Sequence, residues 1–274
     1  MKVPILTYHS MKIHGNGYAE NDLAALASDL ETIHARGWRI VALPELVAGW
    51  LRSSSLGDGE RVVALTCDDG GDFDFHDLPH PSAGPQRSVL NILRDFAARH
   101  PDARPHITSF VIASPEARTE LDKTCMVGRG WWSDAWWSSA VASGLMAIAN
   151  HSWDHNHDAL PPHLARGAER GNFRSIVTRE LADAQVRAAQ EYLVRKAPNP
   201  GNALFAYPYG DVNDYLAGEY LPGAGRAMGL EAAFSTEPRC FASDADRWAI
   251  PRFVFGRDWA SSGELEALLE SACP

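Results

Sequence analysis

The sequence predicts an α/β fold, a closed β/α barrel of parallel strands with outer helices, and three observations support it. Short apolar runs alternate with segments of helical periodicity along the chain, a pattern typical of parallel strands joined by helices. Seven or eight such units in about 250 residues fit a closed barrel. The most polar motifs follow directly on predicted strands, at the edge where such folds place their chemistry. A doubly wound open sheet is the alternative fold, and residues 1–274 are expected to form a single domain.

The first half of the chain contains four predicted strands and three predicted helices. Apolar runs predict strands over Val3–Tyr8, Trp38–Leu43, Arg61–Cys67 and His106–Ile112. Apolar residues at helical spacing predict helices over Asp22–His34, Pro44–Leu51 and Ser88–His100. The polar segment Ser53–Gly59 is predicted to be a loop.

The second half continues the same alternation. Strands are predicted over Leu145–Asn150, Ala203–Tyr207, Glu231–Ser235 and Ile250–Phe255. A long helix is predicted over Thr178–Val194, and the turn Asn199–Asn202 separates it from the next strand. Ser261–Glu264 resembles a capping box, which predicts a last helix through Leu269.

Composition excludes several classes of partner. The formal net charge is −10, which argues against nucleic acid, because phosphate binding needs a basic surface. No apolar run approaches the roughly 18–20 residues that span a bilayer, so no membrane insertion is expected. The chain shows no signal peptide at its start, which predicts a cytoplasmic protein, with an extracellular or periplasmic location left open if a leader was removed. Composition does not indicate an oligomeric state.

The four cysteines, Cys67, Cys125, Cys240 and Cys273, are widely spaced. They form no CxxC pair, so a cysteine zinc site is not expected. Free thiols are the favoured interpretation over disulfides, although the spacing leaves both open.

The first motif that could carry out chemistry is Thr66-Cys67-Asp68-Asp69-Gly70-Gly71, directly after an apolar strand. A metal held by one of the two carboxylates would lower the pKa of a bound water, and the other carboxylate could take its proton. Taken alone, the motif is also compatible with a solvated acidic turn.

The second motif is His151-Ser152-Trp153-Asp154-His155, again after a strand. Two histidines four residues apart meet on one side of a helical turn and can chelate one metal. With Asp69 they would form a set of two histidines and one carboxylate, which leaves positions open for water and substrate.

A third segment, Leu204–Gly210, also runs from a strand into a turn. Taken together and in this order, the three motifs resemble the polysaccharide deacetylases, carbohydrate esterase family four. The opening Ile5-Leu6-Thr7-Tyr8-His9-Ser10 is similar to members that act on poly-N-acetylglucosamine. The resemblance spans roughly residues 3–255.

The resemblance implies a distorted barrel of seven or eight β/α units and a metal-dependent N-deacetylase acting on an N-acetylated sugar. It implies that Asp68 is the catalytic base and that Asp69, His151 and His155 bind a divalent metal ion, usually zinc. It also places Tyr207, Pro208 and Tyr209 on the oxyanion and substrate side, with the Tyr209 backbone N–H as the proposed oxyanion donor.

The sequence departs from the family in three places, the first of which is Cys67 in place of the usual Phe, a tolerable swap of buried apolar side chains. Tyr207 stands where many members have an arginine beside the base, and Arg252 is a candidate to supply that charge, although it could equally be an ordinary surface or salt-bridging arginine. Many members also use a histidine near the C-terminus as general acid, whereas no histidine follows His163 here. His9 is the candidate acid, since it ends the first predicted strand; His157 and His163 are alternatives.

Four tryptophans, Trp131, Trp132, Trp136 and Trp137, precede the second motif. A sugar-stacking platform is one interpretation, and core or lid packing is the favoured one. Two other functions stay open on sequence alone: a sugar-binding homologue with impaired catalysis, and an amide hydrolase of the same fold with a non-sugar substrate. A purely structural interaction protein would not need this carboxylate and histidine set.

Overall fold

The computed structural model describes residues 2–52, 60–164, 166 and 169–271, so the predicted loop over 53–59 and Cys273 lie outside the described residues. Its strands, in chain order, are β1 (Lys2–Val3), β2 (Ile5–Tyr8), β3 (Arg39–Val41), β4 (Val62–Asp69), β5 (Leu78–His80), β6 (Gly84–Gln86), β7 (Ile107–Val111), β8 (Met146–Asn150), β9 (Leu204–Ala206), β10 (Ala232–Phe234), β11 (Phe241–Ala242) and β12 (Phe253–Val254).

Eight of these strands form one parallel sheet. The order along the sheet is β10, β9, β8, β7, β4, β2 and β12, and β3 also pairs with β4. The two ends of the sheet meet at a parallel bridge between Phe234 and Ile250, just before β12. The Ser235 N–H donates to the Ile250 carbonyl at 2.8 Å across this closure. The predicted barrel of parallel strands with outer helices is therefore confirmed. Outside it, β1 pairs with β11 and β5 pairs with β6, both antiparallel.

Helices surround the sheet. They are α1 (Asp22–Ala35), α2 (Leu43–Leu51), α3 (Val89–Arg99), α4 (Pro115–Cys125), α5 (Trp137–Ala142), α6 (Arg179–Ala182), α7 (Ala188–Lys196) and α8 (Ser262–Ser271), with π-helical segments Asp183–Arg187 and Leu216–Gly225 and single 3₁₀ turns at Tyr18–Glu20, Asp72–Asp74, Phe173–Ser175, Pro200–Ala203 and Pro208–Gly210.

Helix starts are set by side-chain caps that satisfy the first free N–H groups. The Asn21 side chain accepts from Leu23 N–H at 2.9 Å at the start of α1. Ser114 caps α4, accepting from Ala117 N–H at 3.1 Å, and Pro115 occupies the first turn. These caps determine where the chain leaves a strand end and returns along the outside of the barrel.

The sheet is buried on both faces, as a parallel barrel requires. Along β4, Val63, Leu65 and Cys67 pack into a cluster with α1 and α3, whereas Ala64 packs into a second cluster that includes Phe110. Because successive side chains alternate between faces, Asp68 lies on the same side as Ala64, toward the barrel interior.

Several details differ from the sequence prediction. The helix predicted over Thr178–Val194 is interrupted by the π-helical segment Asp183–Arg187. Helix α4 is absent from the sequence prediction, because its sequence is mostly polar and buries few apolar residues, among them Ala117 and Leu121. Cys67 and Cys125 are free, as favoured, but Cys240 is disulfide-bonded, so free thiols are the wrong interpretation for that residue.

Among the described residues, none of the helices combines the length and the apolar character needed to cross a bilayer.

Candidate metal centre

The carboxyl ends of neighbouring strands bring the predicted site residues together. In the sheet register, Tyr8 of β2 pairs with Cys67 of β4, and Asp69 pairs with Val111 of β7. The next pair, Val111 with Asn150 of β8, places His151 on the same edge. The motifs that are far apart in sequence are therefore adjacent in space because parallel strands end at one rim.

Asp69, His151 and His155 form a cluster of potential metal ligands. One ligand atom from each lies within 4.8 Å of the others. The Nε2 atoms of His151 and His155 each lie 3.7 Å from the Asp69 Oδ1. Zinc binds nitrogen and oxygen ligands at about 2.0–2.2 Å, so atoms at this separation can share one cation. The donor set fits a divalent metal ion.

Both imidazoles present Nε2 to the Asp69 carboxylate. His151 Nδ1 lies 2.9 Å from the Ala206 carbonyl, which fixes the proton on Nδ1 and leaves the Nε2 lone pair facing Asp69. Burial, assisted by the charge of His151, lowers the pKa of His155 to about 3. Burial alone would raise the pKa of Asp69, but His155 and other histidines outweigh it and lower that pKa. At neutral pH the cluster therefore offers a neutral His155 imidazole and an ionised Asp69 carboxylate.

The backbone of the His151–His155 motif is an irregular turn, and the helical turn expected from the four-residue spacing is wrong. Ser152, His155 and Asn156 have positive φ values of 70°, 63° and 47°, which are uncommon for residues other than glycine. The Ser152 hydroxyl accepts from His155 N–H at 2.9 Å, and the Asn150 side chain accepts from Ser152 N–H at 2.8 Å. These two polar side chains hold the turn in place. The four-residue spacing predicts the two histidine ligands but gives no sign of a role for Asn150 or Ser152.

Asp68 and Arg252 form a buried bidentate ion pair. The two guanidinium nitrogens donate to the two Asp68 oxygens at 2.7 and 2.8 Å, and Arg252 is fully buried. Arg252 also donates to Thr66 Oγ1 and to the Ser235 carbonyl. Burial alone would raise the pKa of Asp68, but the Arg252 charge outweighs it and holds that pKa well below its usual range. Arg252 is thus a salt-bridging residue, and its partner is the predicted base.

His9 borders the same cavity. Its backbone N–H donates to Asp22 Oδ2 at 2.6 Å, and its Nδ1 lies 4.0 Å from that oxygen. Burial lowers the pKa of His9 to about 4, although the nearby carboxylates Asp69 and Asp68 oppose this shift. Asp22, which the sequence pattern does not single out, fixes the backbone at the point where β2 ends.

The cavity at this rim has a volume of about 400 Å³, within the range of small-molecule sites. Its walls include His9, Asp68, Asp69, His151, His155 and Tyr209. The Tyr209 ring lies edge-on against the His155 ring, with centroids 4.4 Å apart, and 43% of Tyr209 is exposed. The cavity is therefore open to a ligand on the Tyr209 side.

Two residues of the third motif are not in the cavity. Tyr207 is fully buried, and its hydroxyl donates to the Trp248 carbonyl at 2.8 Å. Pro208 is buried as well. Their placement corrects the expectation that they face a substrate, because the alternation along β9 turns Tyr207 into the outer core with Phe205.

The alternative acids are placed differently. His157 lines the cavity, with its Nε2 3.8 Å from the Cys125 thiol, whereas His163 is exposed and lies outside the cavity wall. Of the tryptophans, Trp136 and Trp137 are core residues, as favoured, but Trp132 lines the cavity.

Comparison with known proteins identifies similar sequences and folds. A family model described as polysaccharide deacetylase matches residues 56–222, more than half of the chain. No curated protein matches the sequence.

Three solved structures show the same fold. The deacetylase PplD of Streptococcus pyogenes, solved with acetate, is 18% identical with a TM-score of 0.65, covering 100% of this chain and 99% of that chain. IcaB of Ammonifex degensii is 19% identical with a TM-score of 0.61, and the coverages are 98% and 97%. A de-N-acetylase of Aggregatibacter actinomycetemcomitans is 14% identical with a TM-score of 0.66, and the coverages are 98% and 100%.

Proposed function

The chain belongs to the polysaccharide deacetylase family, and we propose that it removes N-acetyl groups from an N-acetylglucosamine-type polysaccharide or oligosaccharide. The observation that carries this proposal is the arrangement of one cavity. A carboxylate held by a buried arginine, Asp68 with Arg252, lies beside the ligand set Asp69, His151 and His155. Hydrolysis of an amide needs an ionised base next to an electrophile, and the cavity can provide both.

We propose that Asp69, His151 and His155 bind zinc. Two imidazoles and one carboxylate are a donor set that zinc accepts while keeping positions open. When bound, the cation would polarise the acetyl carbonyl and lower the pKa of water at the site.

Asp68 is proposed to accept the proton of the attacking water. Its depressed pKa keeps it ionised throughout the neutral range, since Arg252 stabilises the charged form. The bidentate contact also fixes the plane of the carboxylate. Arg252 therefore orients the base.

His9 is proposed to deliver a proton to the departing amine. The pKa of about 4 means that the resting side chain is neutral at pH 7, so the proton that His9 delivers is proposed to be the one that Asp68 takes from the attacking water. The backbone N–H of Tyr209 is proposed to donate to the oxyanion, because this residue adopts a φ of 61° at the cavity wall.

The test is acetate release from N-acetylglucosamine oligomers by the zinc-loaded protein. We expect release by the wild type, loss of release in Asp68→Asn with zinc still bound, and unchanged release in Asp95→Asn. Asp95 is a suitable control because it lies on α3, with its side chain 44% exposed, and pairs with Arg87.

Each contrary result points to another function. Oligomer binding without acetate release by the wild type would favour the sugar-binding homologue. Neither binding nor release, with zinc bound, would favour an amide hydrolase with a non-sugar substrate. Full activity of Asp68→Asn would remove Asp68 from the role of base.

A further inference from the structure

Trp132 contacts the backbone of a proposed metal ligand. Its indole Nε1–H donates to the Asp69 carbonyl oxygen at 3.1 Å. The residue is 7% exposed and lines the same cavity. A tryptophan side chain that donates a hydrogen bond to the backbone of a metal ligand can influence where the side chain of that ligand points.

Asp69 needs such support because its backbone is strained. Its φ is 77°, a left-handed conformation that is strained for a residue other than glycine. Gly70 follows with the same φ of 77°, and a Cβ there would lie 2.4 Å from Val111 Cγ1. The Asp69 carbonyl accepts a second bond, from Ile112 N–H at 3.2 Å. Two donors therefore hold one strained peptide.

Trp132 is itself held firmly on both sides along the chain. Its carbonyl accepts from buried Arg118 at 3.2 Å. The following residue, Ser133, donates its N–H to Asp72 Oδ1 at 2.7 Å, and the Trp131 carbonyl accepts from Asp72 N–H at 2.9 Å. The segment that carries Trp132 is thus bonded directly to the loop after Asp69.

We infer that Trp132 is a positioning residue for metal binding, because its indole N–H keeps Asp69 in the conformation that faces His151 and His155. Without that bond the Asp69 peptide can relax toward negative φ, and the carboxylate moves away from the histidines. This role rests on the proposed zinc site and adds to it a residue that does not contact the metal.

The experiment measures zinc affinity by competition with a chelator, using zinc alone and no substrate. Trp132→Phe keeps an aromatic ring but loses the N–H, and Trp38→Phe is the matched control. Trp38 is 6% exposed, and its Nε1 has no hydrogen-bond partner among the described residues. We expect Trp132→Phe to bind zinc on the order of 10-fold more weakly, as for other groups that support metal ligands, and Trp38→Phe to bind like the wild type.

A second variant separates the N–H from ring volume. Benzothienylalanine at position 132 has the size of tryptophan with sulfur in place of the N–H, so it tests the bond even if Trp132→Phe unfolds. Weak zinc binding by this variant supports the inference. Wild-type affinity in both variants overturns it while leaving the deacetylase proposal intact. Absence of zinc binding by the wild type overturns both.

Discussion

At the scale of single residues, the site depends on charges that are buried and paired. Arg252 is fully buried, and its charge is compensated because Asp68 accepts from both of its terminal nitrogens. Asp68 in turn remains ionised because Arg252 lowers its pKa. Removing one member leaves the other buried and uncompensated, which is far more costly than losing an exposed pair.

We therefore predict that Arg252→Met lowers the free energy of unfolding by about 3–5 kcal/mol and abolishes activity. The double variant Arg252→Met, Asp68→Asn should lose less stability than the sum of the single variants, because no unpaired charge remains. Denaturant unfolding measures the free energy of unfolding of the single variants and of the double variant. Arg87→Met removes an exposed guanidinium that pairs with Asp77 and Asp95 and should cost at most about 1 kcal/mol. Equal losses in the buried and exposed pairs would contradict this prediction.

At the scale of elements, the turns after the strands decide the site. Five described residues other than glycine have positive φ, and four of them belong to the cavity motifs: Asp69, Ser152, His155 and Tyr209. Strain concentrated at one rim is characteristic of a functional site. The strands form a rigid frame, and the turns that follow them orient the proposed metal ligands.

Gly70 should be intolerant of any side chain, for two separable reasons. Its φ of 77° disfavours other residues, and Val111 occupies the space of a Cβ. Gly37 has a similar φ of 71°, with nothing within 4 Å of the position that a Cβ would take. We predict that Gly37→Ala costs about 1 kcal/mol and that Gly70→Ala costs several times as much and weakens zinc binding. Thermal and denaturant unfolding check the difference. Similar losses of unfolding free energy in the two variants would show that the Val111 side chain can shift to make room for the added Cβ.

At the scale of the whole molecule, the barrel converts distant motifs into one cavity. The proposed ligands come from β4 and from the turn after β8, and Arg252 enters from the segment that closes the barrel beside Ile250. Metal binding should therefore stabilise the entire fold, since the unfolded chain cannot bring these residues together.

We predict that zinc at 100 times its dissociation constant adds about 2.7 kcal/mol to the free energy of unfolding. The double variant Asp69→Ala, His155→Ala should show no zinc-dependent shift. Metal content per chain, measured beside thermal unfolding with and without zinc, tests this. A shift of the same size in the double variant would place the cation elsewhere.

Sequence alone predicts the alternation of strands and helices, the three motifs and the resemblance to the family. These are local properties: period, capping and the residue types that follow a strand. It was wrong about the local geometry of the histidine motif, since spacing alone suggested a helical turn and Asn150 and Ser152 instead hold an irregular one. It also placed Tyr207 in the cavity, although strand alternation buries it.

Which distant residues meet depends on the tertiary structure. The pairing of Asp68 with Arg252, and the contact of Trp132 with the Asp69 backbone, join residues separated by 184 and 63 positions. Such contacts depend on sheet register and barrel closure, which follow from packing over the whole chain. No local pattern could have chosen between a surface arginine and the partner of the base, because that choice is made by burial.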